Sequence, residues 1–231
     1  MRYRLLLLFT LVFAPPGRPA VTARTMSIVA GPDLAPPARH GLAKFEAAAR
    51  AQGWEIDRAA SVEVARGGVI VVAALADAAR ALPFAPAPAR PLDAPEGLAV
   101  RKFSLGGKPA VLFAGADARG LMYALLDAAE CVAVAADPAD ILGAIREIEE
   151  RPTVRDRALS VYTMNRGYWE SRFYNEDYWT RYFDTLAASR FNRFLIIFGY
   201  ENGGFLAPPY PYFFDTPGFP GVRMVGLTSG Q

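Results

Sequence analysis

The run Phe194-Leu195-Ile196-Ile197-Phe198 constrains the fold more than any other stretch. It leaves no polar face for solvent, so a strand here is expected to be covered on both sides, as in a parallel sheet. Gly199 closes it and the cluster Tyr200-Glu201-Asn202 follows at once. Upstream, Ala158 to Met164 is a second strand candidate, and Asn165 to Arg172 is polar, aromatic and irregular. Asn175 is placed to cap a helix, with Glu176 and Asp177 in its electropositive first turn. Tyr178, Tyr182 and Leu186 share one face of that helix; Trp179, Phe183 and Ala187 lie beside it. The helix is expected to end near Arg190. Strand, helix and strand at this spacing form a βαβ unit with a right-handed crossover as the default.

The preceding residues alternate differently. Met26 to Ala30 reads as a short strand closed by Gly31-Pro32. Leu42, Phe45, Ala49 and Trp54 carry helical spacing, which predicts a helix over about 40–53 ending at Gly53. Val69 to Leu75 is a β-branched run expected to be a buried strand, and Ala76 to Ala81 a helical turn. Residues 83–97 are proline-rich and read as a surface loop. Gly106-Gly107 between apolar runs at about 99–105 and 109–114 signals a hairpin. Asp117 is positioned as an N-cap for a helix carrying Leu121, Leu125, Ala128 and Val132. Asp137-Pro138 is expected to open another helix through Ile141, Ile145 and Ile148. Arg151-Pro152 ends this small α/β domain.

Composition removes several function classes. Lys and Arg number 25 against 23 Asp and Glu in 231 residues, a net charge of +2 with the basic residues scattered, so nucleic acid is not an expected partner. The sole cysteine, Cys131, sits among Ala129, Val132 and Val134 and reads as a small buried hydrophobe. The sole histidine, His40, reads as a surface residue. These counts exclude Cys/His zinc sites and argue against a Ser-His-Asp triad. Gly106-Gly107-Lys108 lacks the upstream glycine of a P-loop, and no GxGxxG follows the first strand. No cofactor and no metal are expected.

The N-terminus reads as a secretory signal over residues 1–23. Arg2 and Arg4 precede an apolar stretch from Leu5 to Ala14, too short to span a bilayer, and Val21-Thr22-Ala23 fits a small-residue cleavage rule. The alternative is an uncleaved anchor. Cleavage after Ala23 implies a secreted or periplasmic protein with no membrane partner.

In parallel α/β folds, sites form where loops leave the carboxyl ends of strands. Those ends carry Asn165, Arg166, Tyr200, Glu201 and Asn202, which are the candidate substrate-binding residues. Arg supplies a fork of donors, Asn both donor and acceptor, and Glu an acceptor, while aromatic rings stack on the apolar face of a pyranose. A carbohydrate is the expected partner. The plainer reading pairs Arg166 with Glu170 and leaves Glu201 an exposed loop carboxylate. Gly199 to Gly221 has no periodicity but is aromatic, which fits a functional loop.

The segments FAGADARGLMYALLDAAE, RPTVRDRALSVYTMNRG and ASRFNRFLIIFGYENGGF resemble an arrangement in bacterial glycosidases of family 20 (hexosaminidases) and family 67 (α-glucuronidases). Arg119-Gly120, Tyr123, Arg157 and Asn192 match the pattern, and the resemblance covers about 110–205. Where hexosaminidases carry a carboxylate on the first barrel strand, this chain has Tyr162. The resemblance implies an α/β chain in which a hexosaminidase-like accessory domain with a mixed sheet, residues 24–150, is followed by the first βαβ part of an incomplete TIM barrel, residues 151–231. A complete barrel needs about 250 residues. The chain is therefore expected to be the N-terminal part of an exported glycosidase, partnered by the remaining barrel, with no catalytic residue among its own and no activity alone. The other reading is a non-catalytic carbohydrate-binding protein.

Overall fold

The computed structural model describes residues 24–84, 86–163, 166–169 and 171–197. The expected signal at 1–23 and the aromatic segment at 199–221 lie outside them. The chain is α/β, built on a six-stranded mixed sheet of order β2-β1-β3-β5-β4-β6. β1 (Arg24–Ala30) runs parallel between β2 (Trp54–Ala59) and β3 (Val69–Leu75). β4 (Leu98–Leu105) and β5 (Lys108–Gly115) form the predicted hairpin, and β5 pairs parallel with β3. Gly106 and Gly107 turn it with φ of 57° and 79°, the left-handed pair that a two-residue loop with matching strand twist requires. β6 (Ile148–Glu150) closes the far edge against β4.

Two helices cover one face. α1 (Pro36–Ala51) and α3 (Ala118–Ala133) pack together over Val71, Leu98, Val111 and Phe113. Phe45 and Phe113 meet edge to face at 5.3 Å between ring centres. Burying each such side chain contributes about 1.5–3 kcal/mol, so truncating Phe113 to Ala costs about 3–5 kcal/mol. The other face is covered by the short α2 (Ala76–Arg80) and by Leu92 of the proline-rich loop. α3 begins where the sequence places it, because the Asp117 carboxylate accepts from Arg119 N and Gly120 N.

Several expectations are corrected. The first helix starts at Pro36, since proline fits an opening helical turn, and ends at Ala51. Gly53, at φ 83°, redirects the chain so that Trp54 opens β2 instead of extending the helix. The helix expected through Ile148 shrinks to α4 (Ile141–Ala144), capped by Asp140, and Ile148 joins β6. Asp137 caps a turn, accepting from Ala139 N at 2.8 Å. Cys131 is half-buried rather than enclosed.

A second unit follows. β7 (Ala158–Tyr162) leads through the single turn α5 (Arg166–Trp169) and through α6 (Glu176–Ala188) to β8 (Arg193–Ile197), which pairs parallel with β7. Asn175 caps α6 by accepting from Tyr178 N at 2.9 Å. The expectation that β8 is covered on both faces is not met within the described residues. Phe194 packs under α6 against Trp179, Tyr182 and Phe183, while Leu195 on the other face is 56% exposed beside Tyr162 at 59%.

Candidate functional site

The carboxyl ends of β7 and β8 are fastened together. Thr163, buried, donates to Ile197 O from both its backbone N (3.1 Å) and its Oγ1 (3.2 Å). α5 then folds back so that Trp169 Nε1 donates to Tyr162 O at 2.7 Å. Trp169 is buried and stacks on Trp179 of α6, 5.7 Å away with the rings 9° from parallel. Tyr168 stays exposed at this edge, with the Arg172 guanidinium 4.2 Å over its ring and Arg172 Nη1 donating to Tyr168 O at 2.5 Å. Burial, together with a hydrogen bond to Tyr168, pushes the Tyr178 phenol up, and burial does the same to Tyr182. Both are neutral hydroxyl groups at physiological pH.

Of the expected binding residues, Arg166 opens α5 at this edge. Asn165, Tyr200, Glu201 and Asn202 lie outside the described residues. The described part of the edge therefore contributes the exposed rings of Tyr162 and Tyr168 and the Arg172 guanidinium, a surface suited to stacking and hydrogen bonding. Among the described residues no group of three or more His, Cys, Asp or Glu is placed to hold a metal.

The amino ends of the same strands meet a different environment, which sequence reading missed. Glu96, in the proline-rich loop, is 4% exposed. Its Oε1 accepts from Asn192 Nδ2 (3.0 Å) and faces Arg119 Nη1 (3.1 Å); its Oε2 pairs with Arg157 Nη2. Arg157 precedes β7 and also donates from Nε to Arg190 O (2.6 Å) and from Nη1 to Val154 O (2.7 Å). Asn192 precedes β8, accepts from Arg157 N at 2.9 Å and donates to Arg155 O at 2.8 Å. Tyr123 of α3 lies with its ring 6.0 Å from the Arg157 guanidinium. Burial and the charge of Glu96 push the Tyr123 phenol up. For Arg157, burial opposes the charge, but hydrogen bonding to Glu96 and its negative charge outweigh that and raise its pKa. A cavity of about 390 Å³ adjoins this cluster, lined by Glu96, Tyr123, Arg157 and Arg190 among others.

Arg119, Tyr123, Arg157 and Asn192, the residues that carried the resemblance, thus converge on one carboxylate that the motif does not contain. The signal that could have found it is the need of Arg157, mostly buried, for a counter-charge. Gly120 belongs to the same junction: a Cβ there would lie 2.2 Å from Gly97 O, so only glycine lets the loop carrying Glu96 reach α3. His40 is not an isolated surface residue; its Nε2 lies 3.4 Å from Asp184 Oδ1 of α6.

No family model matches the chain, and no curated protein does. Among solved structures, the fold is similar to part of a GH138 enzyme targeting pectin rhamnogalacturonan II. The TM-score is 0.53 at 14% identity, over 74% of this chain and 24% of that one. The chain thus spans about a quarter of that enzyme's length.

Proposed function

We propose that the chain is the N-terminal portion of an exported glycoside hydrolase acting on poly- or oligosaccharides. Residues 24–150 form its accessory domain and residues 151–231 open a (β/α)8 barrel. The observation that carries this reading is the parallel β7–α6–β8 unit placed directly after a mixed-sheet α/β domain, in a chain whose fold is similar to part of a pectin-directed glycoside hydrolase. The residues gathered at Glu96 include Arg119, Tyr123, Arg157 and Asn192, which carry the resemblance to families 20 and 67, and they tie the sheet domain to the amino edge of the β7–β8 pair. That docking leaves the carboxyl edge for substrate, where Asn165, Arg166, Tyr200, Glu201 and Asn202 would hold sugar hydroxyls. Glycoside hydrolysis uses two carboxylates, or one with help from the substrate. These are expected on later strands, so the 231-residue chain is proposed to be inactive alone. Export follows from cleavage after Ala23 and delivers the protein to the periplasm or medium.

The test is hydrolysis of aryl glycosides and pectic oligosaccharides by the protein from the complete reading frame, with the 231-residue chain alongside. Turnover by the first and none by the second supports the proposal. A reading frame that stops at Gln231, with sugar binding and no turnover, favours a carbohydrate-binding protein instead; the exposed rings of Tyr162 and Tyr168 fit that second reading.

A further inference from the structure

The six-stranded sheet and the β7–β8 pair belong to separate sheets. α6 has no buried residue, and Ala187 is its residue packed against the main core among those described. Beside the apolar residues Met122, Leu186, Ala187 and Phe191, ion pairs make up much of the junction between the two parts. Glu96 pairs with Arg157 and bonds to Asn192; Arg190 pairs with Asp127 of α3 and Glu150 of β6; Asp184 pairs with Lys44 of α1 at 2.6 Å, with His40 beside it. Few buried apolar contacts and many charged ones are the physical marks of a segment that opens before the rest of a fold.

We infer that β7–α6–β8 opens from the sheet domain as a unit, and that Glu96 is the latch that holds it closed. Glu96 is suited to this because its carboxylate is fully committed. Oε1 serves Arg119 and Asn192, and Oε2 serves Arg157, so one buried group ties the amino ends of both strands to α3. Its backbone is fixed as well: at φ 60° it occupies the left-handed region, with its N donating to Asp117 Oδ2 at 3.0 Å. Asp117 thereby caps α3 and sets the latch at once. Arg190, also at φ 62°, turns the chain from α6 toward β8 and carries the second set of pairs. The peripheral pairs are partly exposed and open to screening by salt, whereas Glu96, with 3% of its side chain exposed, is sheltered from it.

Amide exchange of the protein from the complete reading frame tests this. Glu96→Gln keeps the shape, removes the charge and turns a donor toward donors. Exchange over 158–162, 176–188 and 193–197 is expected to quicken roughly tenfold to a hundredfold, while 69–75 and 110–114 stay as they were. Equal acceleration of both sets, or none, would overturn the latch. The unmodified protein in rising, sub-denaturing urea gives an arm that does not depend on a variant folding. The same βαβ amides should quicken before those of the sheet, and a uniform or absent response would overturn the inference.

Discussion

Glu96 and Arg157 lie 61 residues apart in the sequence and meet as carboxylate and guanidinium at the amino edge of the β7–β8 pair. The Glu96 side chain is buried and that of Arg157 is mostly so, and removing Arg157 leaves the carboxylate with only Arg119 and Asn192 on its Oε1.

Arg157→Ala is accordingly expected to destabilise the protein by about 1.5–3 kcal/mol, the range for losing a hydrogen bond to a charged group. Arg193→Ala removes an exposed pair with Asp156 next along the same edge, and should cost no more than about 1 kcal/mol. Urea unfolding of the two variants checks the contrast. Equal losses would mean that burial at Glu96 is not what gives the pair its weight.

Gly120→Ala is expected to destabilise by about 1–3 kcal/mol, because its Cβ would strike Gly97 O and push the Glu96 loop off α3. Gly31→Ala enters open space and should stay within about 0.5 kcal/mol. Thermal denaturation of both distinguishes a steric requirement from a general intolerance of substitution.

Asp127 supplies a pH signature. Burial raises its pKa above the ordinary value of 3.8, and the charges of Glu150 and Glu130 add to that, outweighing the pull of Arg190. A raised carboxylate pKa means the folded protein binds the proton more tightly. The contribution of Asp127 to stability is thus fullest below its unfolded pKa and declines as pH rises through the folded value. The stability of the wild type minus that of Asp127→Asn should therefore fall from about pH 3 upward through the weakly acidic range. A difference that grows over that range would reverse the assignment and make Arg190 the dominant neighbour.

Parts of this architecture were legible because single residues dictate them. Gly106-Gly107 fixes the hairpin, Asp117 and Asn175 start their helices, and the β-branched run at Val69 fills β3. β2 was not legible: it is an edge strand alternating charged with partly buried residues, and Trp54 at its start mimics the spacing of α1. β6 is three residues long, defined by its pairing with β4 and not by its own composition. The two-sided cover expected for β8 is not met among the described residues, because apolar character reports what a strand tolerates and not what is packed on it, and Leu195 is exposed there. Glu96 escaped notice because its partners come from α3 and from the residues just before β7 and β8 and share no local pattern with it. The βαβ pattern found β7 and β8 as a parallel pair, with β7 ending at Tyr162 and not at Met164, while most of the residues named at the carboxyl edge fall outside the described segments.

If the carboxyl edge of this unit binds sugar in a complete glycoside hydrolase, as proposed, replacing Arg166 or Glu201 should weaken catalysis without unfolding the protein. In the protein from the complete reading frame, Arg166→Ala and Glu201→Gln should each lower kcat/KM roughly tenfold to a hundredfold, the loss expected for a charged hydrogen bond to substrate. Melting temperature should be almost unchanged, since substitutions away from the core shift stability by less than about 0.5 kcal/mol. Unchanged kcat/KM in both variants, or a loss that follows a fall in melting temperature, would contradict the account.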